Sequence, residues 1–520
     1  MSATIALACL LLVGEQSTKA DPADLAQRID ERLQVRFDSE QVLPAERAAD
    51  DEFLRRLSLD LIGRIPTPKE VQSFLADSSI AKRELLIDQL LGSKKHACHF
   101  ARVWRALLMP ESEVEPQLRY FEPGLEAWLQ ERRQDNVGFD GIVRELLTVP
   151  IVGPNEQPQV VLRDLRRPNP LAFIAAKNAD PAKIASASTR LFLGLRLECA
   201  QCHNHPFDNW SQEQFWNQAA FFAGIERRGR GPFAPLVEVT TRRTIALMDS
   251  DQIVSPAFLD QSQPRPTDNG PARAELARWI TAPENPYFAR AITNRVWSQL
   301  FGTGIVEPVD DIRDSNAPSH PELLRELSES FAAADFDVAL IYRALCRTAA
   351  YQRTSRQSDP SQSRAELFAK MPVRPLSGEQ FFDSLALAVA YESTADRSPG
   401  EPERDPVRQA VLGLFAGASG GGNPQTSVAQ ALALMNGDVT DGAIRPKSGA
   451  RLQQIINEFP ESSERQIEVL YLSTLSRLPT QEETQTLIDF NGLGDKTSRQ
   501  QNMGDIFWML LNSAEFCWNH

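Results

Sequence analysis

The sequence has few cysteines, few histidines and no long apolar run after its first residues. Six of the 520 residues are cysteine and six are histidine. Removal of an N-terminal leader containing Cys9 would leave five cysteines, an odd number. We therefore do not expect the disulfide framework that stabilises many small secreted domains. No later stretch is long and apolar enough to cross a bilayer, so we expect no integral membrane segment in the mature protein.

The chain carries fewer positive than negative charges. The chain has 55 Lys and Arg against 69 Asp and Glu, a formal net charge of −14. This balance argues against non-specific binding to nucleic acid or to anionic membranes. Apolar residues form 42% of the chain and charged residues 24%, values that exclude collagen-like and disordered proteins. The length predicts two to four domains.

The N-terminus resembles a secretory signal peptide. Residues 5–13 form an apolar run that is too short to span a bilayer. Thr18 and Ala20 place small residues at positions −3 and −1 of a cleavage site before Asp21. The departure from the usual pattern is the lack of Lys or Arg before the apolar run. We predict a signal peptide over residues 1–20 and an exported protein, periplasmic or extracellular.

Helix-start signals recur along the chain. Four positions place Ser or Thr three residues before Glu or Gln, a spacing typical of a capping box: Thr67 with Glu70, Ser211 with Gln214, Ser319 with Glu322, and Thr480 with Glu483. We predict a mainly α, multi-helical two-domain protein with a small β hairpin or short strands near 233–248. The predicted divisions are an N-terminal helical domain over 25–226, a linker with short strands over 227–269, and a C-terminal helical domain over 270–518.

One segment occurs in two similar copies. LSLDLIGRIPTPKEVQSFL, near residue 57, is similar to LYLSTLSRLPTQEETQTLI, near residue 470. Arg64 and Arg477 occupy the same place in the two copies. Either two helical hairpins require the same turn chemistry or the segment was duplicated. The pair also suggests that the two ends of the chain pack together.

The motif with the highest information content is CAQCH at residues 199–203. C-x-x-C-H is the attachment signature of c-type haem: two thiols add to the haem vinyl groups and the histidine becomes the proximal iron ligand. A chain with six cysteines and six histidines in 520 residues contains this pattern by chance about once in a thousand cases. The motif therefore calls for a chemical explanation.

Three explanations of the motif stay open. In the first, Cys199 and Cys202 form thioethers to haem c and His203 binds the iron. In the second, the two cysteines form a disulfide or a reactive dithiol, and His203 lowers a thiol pKa. In the third, a zinc ion is bound by Cys199, Cys202, His203 or His205, although no second ligand pair at zinc-site spacing follows.

A distal iron ligand is harder to identify. His99 is our candidate, on a predicted helix in HACHFARVW. The sequence offers four others: His96, His320, Met109 and Met248. We expect His320 to follow a Ser319 cap at the start of a helix. His205 lies too close to His203 to reach the opposite haem face, so we expect it to support the CHNHPFD turn by hydrogen bonds.

Other sites are weaker. The segment VEPVDDIRD clusters four carboxylates with Asp310 and Asp311 at its centre, which indicates a cation site or ion pairs with Arg295 and Arg313. The glycine-rich segment from Ala416 lacks the Lys and Ser/Thr of a phosphate-binding loop. No G-x-S-x-G is present, and nothing marks a catalytic triad. Whether the protein is an enzyme stays open.

Long stretches of the sequence resemble a planctomycete-type, cytochrome-associated family that joins domain of unknown function 1549 to domain of unknown function 1553. The first domain is similar to DEFLRRLSLDLIGRIPTPKE, FDGIVRELL and LFLGLRLECAQCHNHPFDNWSQEQFWNQAAFFAG. The second is similar to ITNRVWSQLFGTGIVEPVDDIRDSNAPSHPELL, AYQRTS, VAQALALMNGD and LNSAEFCWNH. The resemblance implies a secreted helical protein with possible cell-surface or polysaccharide-related partners, but no established reaction. It marks the CxxCHxHPFD block, Asn294, Arg295, Trp297, Ser319 and His320, and it supports His99 as distal ligand.

Two functional hypotheses follow. The leading one is a secreted or periplasmic c-type haem protein with an electron-transfer or accessory redox role and a redox partner protein. The alternative is a non-haem helical scaffold or binding protein in which CAQCHNHP is a structural turn locked by a disulfide or a metal ion.

Overall fold

The computed structural model describes most of the chain after residue 20. The described residues are 21–155, 167–206, 208–247, 251–264, 270–391, 405–415, 450–492 and 496–520. The predicted signal peptide, Met248 and the glycine-rich segment lie outside the described residues. Within them no helix has the length and apolar character needed to cross a membrane.

Helices dominate the first half of the described chain. They are α1 (Pro22–Glu40), α2 (Asp50–Ile62), α3 (Pro68–Ala76), α4 (Lys82–Leu91), α5 (Lys94–Leu108), α6 (Glu111–Val114), α7 (Glu122–Gln134), α8 (Phe139–Thr148), α9 (Ala172–Ala176), α10 (Pro181–Ser188) and α11 (Gln212–Ala220). A 3₁₀ turn at Pro116–Phe121 precedes α7, a π turn at Thr189–Leu193 continues α10, and a 3₁₀ turn at Glu198–Gln201 follows it.

The second half is also helical. Its helices are α12 (Arg273–Ile280), α13 (Phe288–Phe301), α14 (Pro321–Ala333), α15 (Val338–Arg347), α16 (Gly378–Val389), α17 (Pro406–Phe415), α18 (Ala450–Glu458), α19 (Ser463–Thr474), α20 (Gln481–Asn491), α21 (Lys496–Leu511) and α22 (Ala514–Cys517). Two 3₁₀ turns, Pro360–Ser363 and Ala365–Leu367, precede α16.

Three short antiparallel pairs make up the strands of the described residues. β1 (Ile225–Arg227) pairs with β2 (Leu236–Glu238), β3 (Ile245–Ala246) with β4 (Ile253–Val254), and β5 (Arg374–Pro375) with β6 (Trp518–Asn519). The first two pairs lie at and around the predicted region 233–248. With 59% of the structure helical, the predicted mainly α class is confirmed.

Three of the four predicted capping boxes are present, at Thr67, Ser211 and Thr480. The fourth prediction is wrong. Helix α14 begins at Pro321, and its N-cap is His320 rather than Ser319. The Ser319 hydroxyl instead donates to the carbonyl oxygen of Ile305 at 3.1 Å, a contact with a loop 14 residues earlier. The Ser319 hydroxyl thus makes a long-range hydrogen bond and does not cap the helix.

The apolar core is continuous across the predicted linker. One cluster contains buried residues from Leu25 to Met371, with members in the strands β1, β2 and β4, together with Leu472 of α19. A second cluster is built from residues after 375, together with Leu59 and Ile65 at the end of α2. Most members of the second cluster thus come from residues after 375, and the predicted domain bounds stay a prediction.

The two similar segments form matching hairpins, α2–α3 and α19–α20. In the first, Arg64 approaches Glu70 of the capping box at 3.4 Å; in the second, Arg477 approaches Glu483 at 2.8 Å. Each arginine also donates to the carbonyl oxygen of the next residue. Both hairpins therefore use the same turn chemistry. The ends of the chain also pack together, since Arg55 of α2 donates to carbonyl groups of the C-terminal region.

Candidate functional site

The CAQCH segment is positioned by the π turn and by one glycine. Gly194 ends the π turn with φ +68°, and its carbonyl oxygen accepts a hydrogen bond from the Ile312 backbone N–H at 2.8 Å. A Cβ at this position would lie 2.7 Å from Ile312 Cδ1, so both the conformation and the space require glycine. This contact fixes the segment leading to Cys199 against the loop that contains Ile312.

Side chains alternate between core and solvent as the segment leaves Gly194. Leu195 and Leu197 are buried, whereas Arg196 between them is exposed. The chain then forms the 3₁₀ turn Glu198–Gln201, in which Ala200 is fully buried. Burial of that alanine anchors the turn, and the side chains of Cys199 and Cys202 are left exposed at the surface.

Helix α11 holds the backbone of the turn. The Gln212 side-chain amide donates to the carbonyl oxygens of Gln201 at 3.2 Å and Cys202 at 3.1 Å. The indole N–H of Trp216 donates to the same Gln201 carbonyl at 3.0 Å. These bonds fix the backbone of the turn, and both cysteine side chains are exposed.

His203 is exposed beside the two cysteines, and its ring is oriented by its neighbour. Its Nδ1 lies 2.7 Å from the carbonyl oxygen of Asn204. Because a carbonyl oxygen only accepts, Nδ1 carries the proton in the neutral ring and Nε2 keeps its lone pair. A hydrogen bond of this kind is the usual way in which proteins orient a metal-binding histidine. The donor set of two exposed thiols and one oriented imidazole fits covalent haem.

The described cysteines form no disulfide, so Cys199 and Cys202 are not joined. Among all the residues that the structure describes, no group of three or more His, Cys, Asp or Glu side chains is arranged to hold a metal ion. His205 lies in the turn, where its backbone N–H donates to the carbonyl oxygen of Trp210 at 2.8 Å. The disulfide and zinc explanations stay predictions, as does the supporting role of His205.

The candidate distal ligands among the described residues are buried, unlike the exposed CAQCH turn. His96, His320 and Met109 are all buried in the interior. His99 lines a cavity of about 680 Å³ whose walls include neither the cysteines of CAQCH nor His203. Cys199, Cys202 and His203 are thus exposed along one turn, whereas His99 lines the cavity. Its role as distal ligand stays a prediction.

His99 packs against the end of α2. Burial, followed by the nearby charge of Arg102, lowers the pKa of His99 to about 4. A Cβ at Gly63, the C-cap of α2 with φ +72°, would overlap the His99 ring. The glycine therefore allows both the left-handed cap and the close approach of the histidine.

The substitution Gly63→Ala should lower the free energy of unfolding by about 2–4 kcal/mol, the sum of left-handed backbone strain and overpacking against His99. The measurement is urea denaturation. In a His99→Ala background the added effect of Gly63→Ala should fall to about 1–2 kcal/mol, because only the backbone strain is left. An equal loss in both backgrounds would show that the two residues are not coupled.

The carboxylate segment forms ion pairs. Asp310 receives Arg196 at 2.6 Å and Arg190 at 3.4 Å, and Asp311 pairs with Arg313 at 3.2 Å. The ion-pair explanation thus holds for both aspartates, but the partners of Asp310 differ from those we expected. Arg295 forms no ion pair in the described part of the chain.

Sequence analysis did not single out most residues of the cavity. Arg102 and Arg105 follow His99 on one face of α5, and Glu379 and Arg408 come from helices far along the chain. The polar stripe at spacings of three on an otherwise apolar helix was the available signal. The distant partners left no local signal.

Comparison with known families gives two matches. A model described as a protein of unknown function, DUF1549, matches residues 28–227, and one described as a protein of unknown function, DUF1553, matches residues 272–412. The chain belongs to the proteins that combine these two domains. In this two-domain family member, CAQCH lies in the first matched region and Arg295 in the second. The second match ends before the LNSAEFCWNH segment. No curated protein and no solved structure matches the chain.

Proposed function

We propose that the protein is an exported c-type haem protein with an electron-transfer or accessory redox role. Cys199 and Cys202 would hold the haem as thioethers, and His203 would bind its iron. The observation that carries the proposal is the exposure of all three donors on one turn, with His203 Nδ1 already bonded to Asn204. Bound haem would supply a one-electron couple at the protein surface.

The surrounding residues support a stable attachment point. Gln212 and Trp216 fix the backbone of the turn, and Ala200 is buried beneath it. The two cysteines are therefore presented from a fixed backbone. An exposed position on the surface would also allow close approach of a redox partner protein, which the proposal includes.

Export is part of the same proposal, because haem c is attached outside the cytoplasm. The predicted cleavage would leave Asp21 as the first residue. In the structure Asp21 is the N-cap of α1, and its side chain accepts from the Ala23 backbone N–H at 2.9 Å. Cleavage there would thus leave a capped helix at the new N-terminus.

The alternative is a non-haem scaffold or binding protein. It is favoured by one observation: Gln212, Trp216 and buried Ala200 hold the backbone of the turn in place. In this case the thiols would be dispensable for the fold, or would form a disulfide or metal lock after export.

Substitution of the donors separates the two functions. Secretion from a host that attaches haem c should give coloured wild-type protein, whereas the Cys199→Ser, Cys202→Ser double variant should carry no covalent haem. His203→Ala should change the visible spectrum by removing an iron ligand. The matched control Cys98→Ser, outside the motif, should retain the wild-type haem content.

The measurement is a haem stain on a denaturing gel, together with a visible spectrum of the purified protein. Covalent haem in the double variant at the wild-type level would overturn the proposal. A colourless but folded wild-type protein would overturn it in favour of the scaffold.

A further inference from the structure

A cavity of about 680 Å³ lies apart from the CAQCH turn. Its walls come mainly from α5, α6, α7, α13, α16 and α17 and from the 3₁₀ turn at Pro116–Phe121. This volume is typical of a pocket for a small organic molecule. The cavity joins helices from both matched family regions.

Most arginines of this cavity are already neutralised. Arg105 pairs with Glu379 at 2.7 Å, Glu126 at 3.1 Å and Glu122 at 3.2 Å. Both Arg102 and Arg408 pair with Asp383. These three arginines and four carboxylates form an ion-pair network that holds α5, α7, α16 and α17 together.

Arg295 of α13 differs from these three arginines, as does the exposed Arg119, which donates to the Ser112 carbonyl oxygen. Within the described residues, no carboxylate lies within ion-pair distance of the Arg295 guanidinium group. Its Nη2 donates to the Arg190 carbonyl oxygen at a long 3.4 Å, and its buried Nε has no hydrogen-bond partner. Asp310, the carboxylate whose charge acts on Arg295, is engaged by Arg190 and Arg196.

The charge of Arg295 persists at neutral pH. Burial lowers its pKa to about 10, which still leaves the group protonated near pH 7. Arg295 is half-buried, and the one carboxylate whose charge acts on it, Asp310, is shared with two other arginines, so a bound anion would stabilise the guanidinium group. The feature therefore calls for a negatively charged partner in the cavity.

The same cavity offers further donors and an apolar wall. Ser298, one turn beyond Arg295, also lines the cavity and adds a hydroxyl group on the same face of α13. The cavity wall also contains four half-buried apolar side chains: Val103, Leu107, Leu412 and Phe415. Arg295 beside these apolar side chains suits a molecule with an anionic head and an apolar body.

We propose that this cavity binds an amphiphilic organic anion, a carboxylate or sulfonate with an aromatic or aliphatic body. The acid group would accept hydrogen bonds from Arg295 and Ser298, and the body would contact Leu107, Leu412 and Phe415. This site is independent of haem attachment at CAQCH.

Two fluorescent probes test the proposal on the full chain. 1-Anilinonaphthalene-8-sulfonate carries a sulfonate, whereas N-phenyl-1-naphthylamine has the same aromatic body without charge. A charge-assisted hydrogen bond contributes about 1.5–3 kcal/mol. We therefore expect the wild-type protein to bind the sulfonate at least about tenfold more tightly than the neutral probe. Equal affinities, or no binding of either probe to folded protein, would overturn the proposal.

Variants then locate the site. Arg295→Met should weaken binding of the sulfonate about tenfold or more and leave the neutral probe unchanged. Arg290→Met, on the same helix but outside the cavity walls, is the matched control and should bind like wild type. Leu107→Trp places a larger side chain in the cavity and should weaken the binding of both probes. It is the second test of the site if Arg295→Met does not fold. Sulfonate binding that survives both Arg295→Met and Leu107→Trp would place the anion elsewhere and refute the assignment.

Discussion

Lowering the pH from 7 to 5 should reduce the free energy of unfolding by roughly 5 kcal/mol, through three buried histidines. His96, His99 and His320 are at most 9% exposed. Burial is the main cause that lowers the pKa of His96 to about 3 and those of His99 and His320 to about 4. The unfolded chain binds a proton at each histidine near pH 6.5, whereas the folded chain does not.

The sign follows from this difference. Because the folded pKa values lie below the unfolded value, the stabilisation is fully present above pH 6.5 and is lost as the pH falls toward 4. Each histidine contributes about 2 kcal/mol to the change between pH 7 and 5. Burial raises the pKa values of Asp30 and Glu122, so these carboxyl groups act in the opposite direction.

Urea denaturation at pH 7, 6 and 5 measures the effect, and one variant isolates it. His320→Gln should remove about 2 kcal/mol from the pH dependence, whatever its effect on stability at pH 7. His203→Gln is the matched control, since that side chain is exposed. A wild-type protein equally stable at pH 5 and 7, or a His320→Gln protein with unchanged pH dependence, would contradict this account.

Replacing Arg55 by methionine should destabilise the protein by about 3–5 kcal/mol. The guanidinium group is 1% exposed and donates to three backbone oxygens: Thr474 at 3.0 Å, Glu515 at 3.0 Å and Phe516 at 2.9 Å. Methionine would fill much of the space, but it would leave these carbonyl groups buried without donors. The C-terminal region would also lose a principal polar link to α2.

Arg325→Met is the control for this substitution. Arg325 is exposed and pairs with Glu322 and Glu329 on its own helix, so its loss should change stability little. Denaturation with circular dichroism at 222 nm compares the two variants. A loss for Arg55→Met no larger than that for Arg325→Met would show that the bonds from α2 to the chain end contribute little.

Local patterns predicted the elements, and long-range contacts decided the exceptions. The capping signals at Thr67, Ser211 and Thr480 identified helix starts because all the bonding groups lie within four residues. The same signal failed at Ser319, whose hydroxyl reaches Ile305. The spacing of Ser319 and Glu322 in the sequence does not show that a distant carbonyl oxygen binds the serine hydroxyl.

The candidate site divides in the same way. Cys199, Cys202 and His203 lie within five consecutive residues, so their presence on one turn follows from the sequence alone. The cavity could not, because Arg105 and Glu379 meet across more than 270 residues. Arg295 was marked by family resemblance, but only the structure shows that its guanidinium lines a cavity without a carboxylate partner.

The central claim is that CAQCH attaches haem, and intact mass of the secreted wild-type protein tests it most directly. The protein should come from a host that attaches haem c and should be measured under denaturing conditions. The account predicts cleavage before Asp21 and a mass increased by one haem. An unmodified mass, or one lighter by the two hydrogen atoms of a disulfide between Cys199 and Cys202, would contradict it.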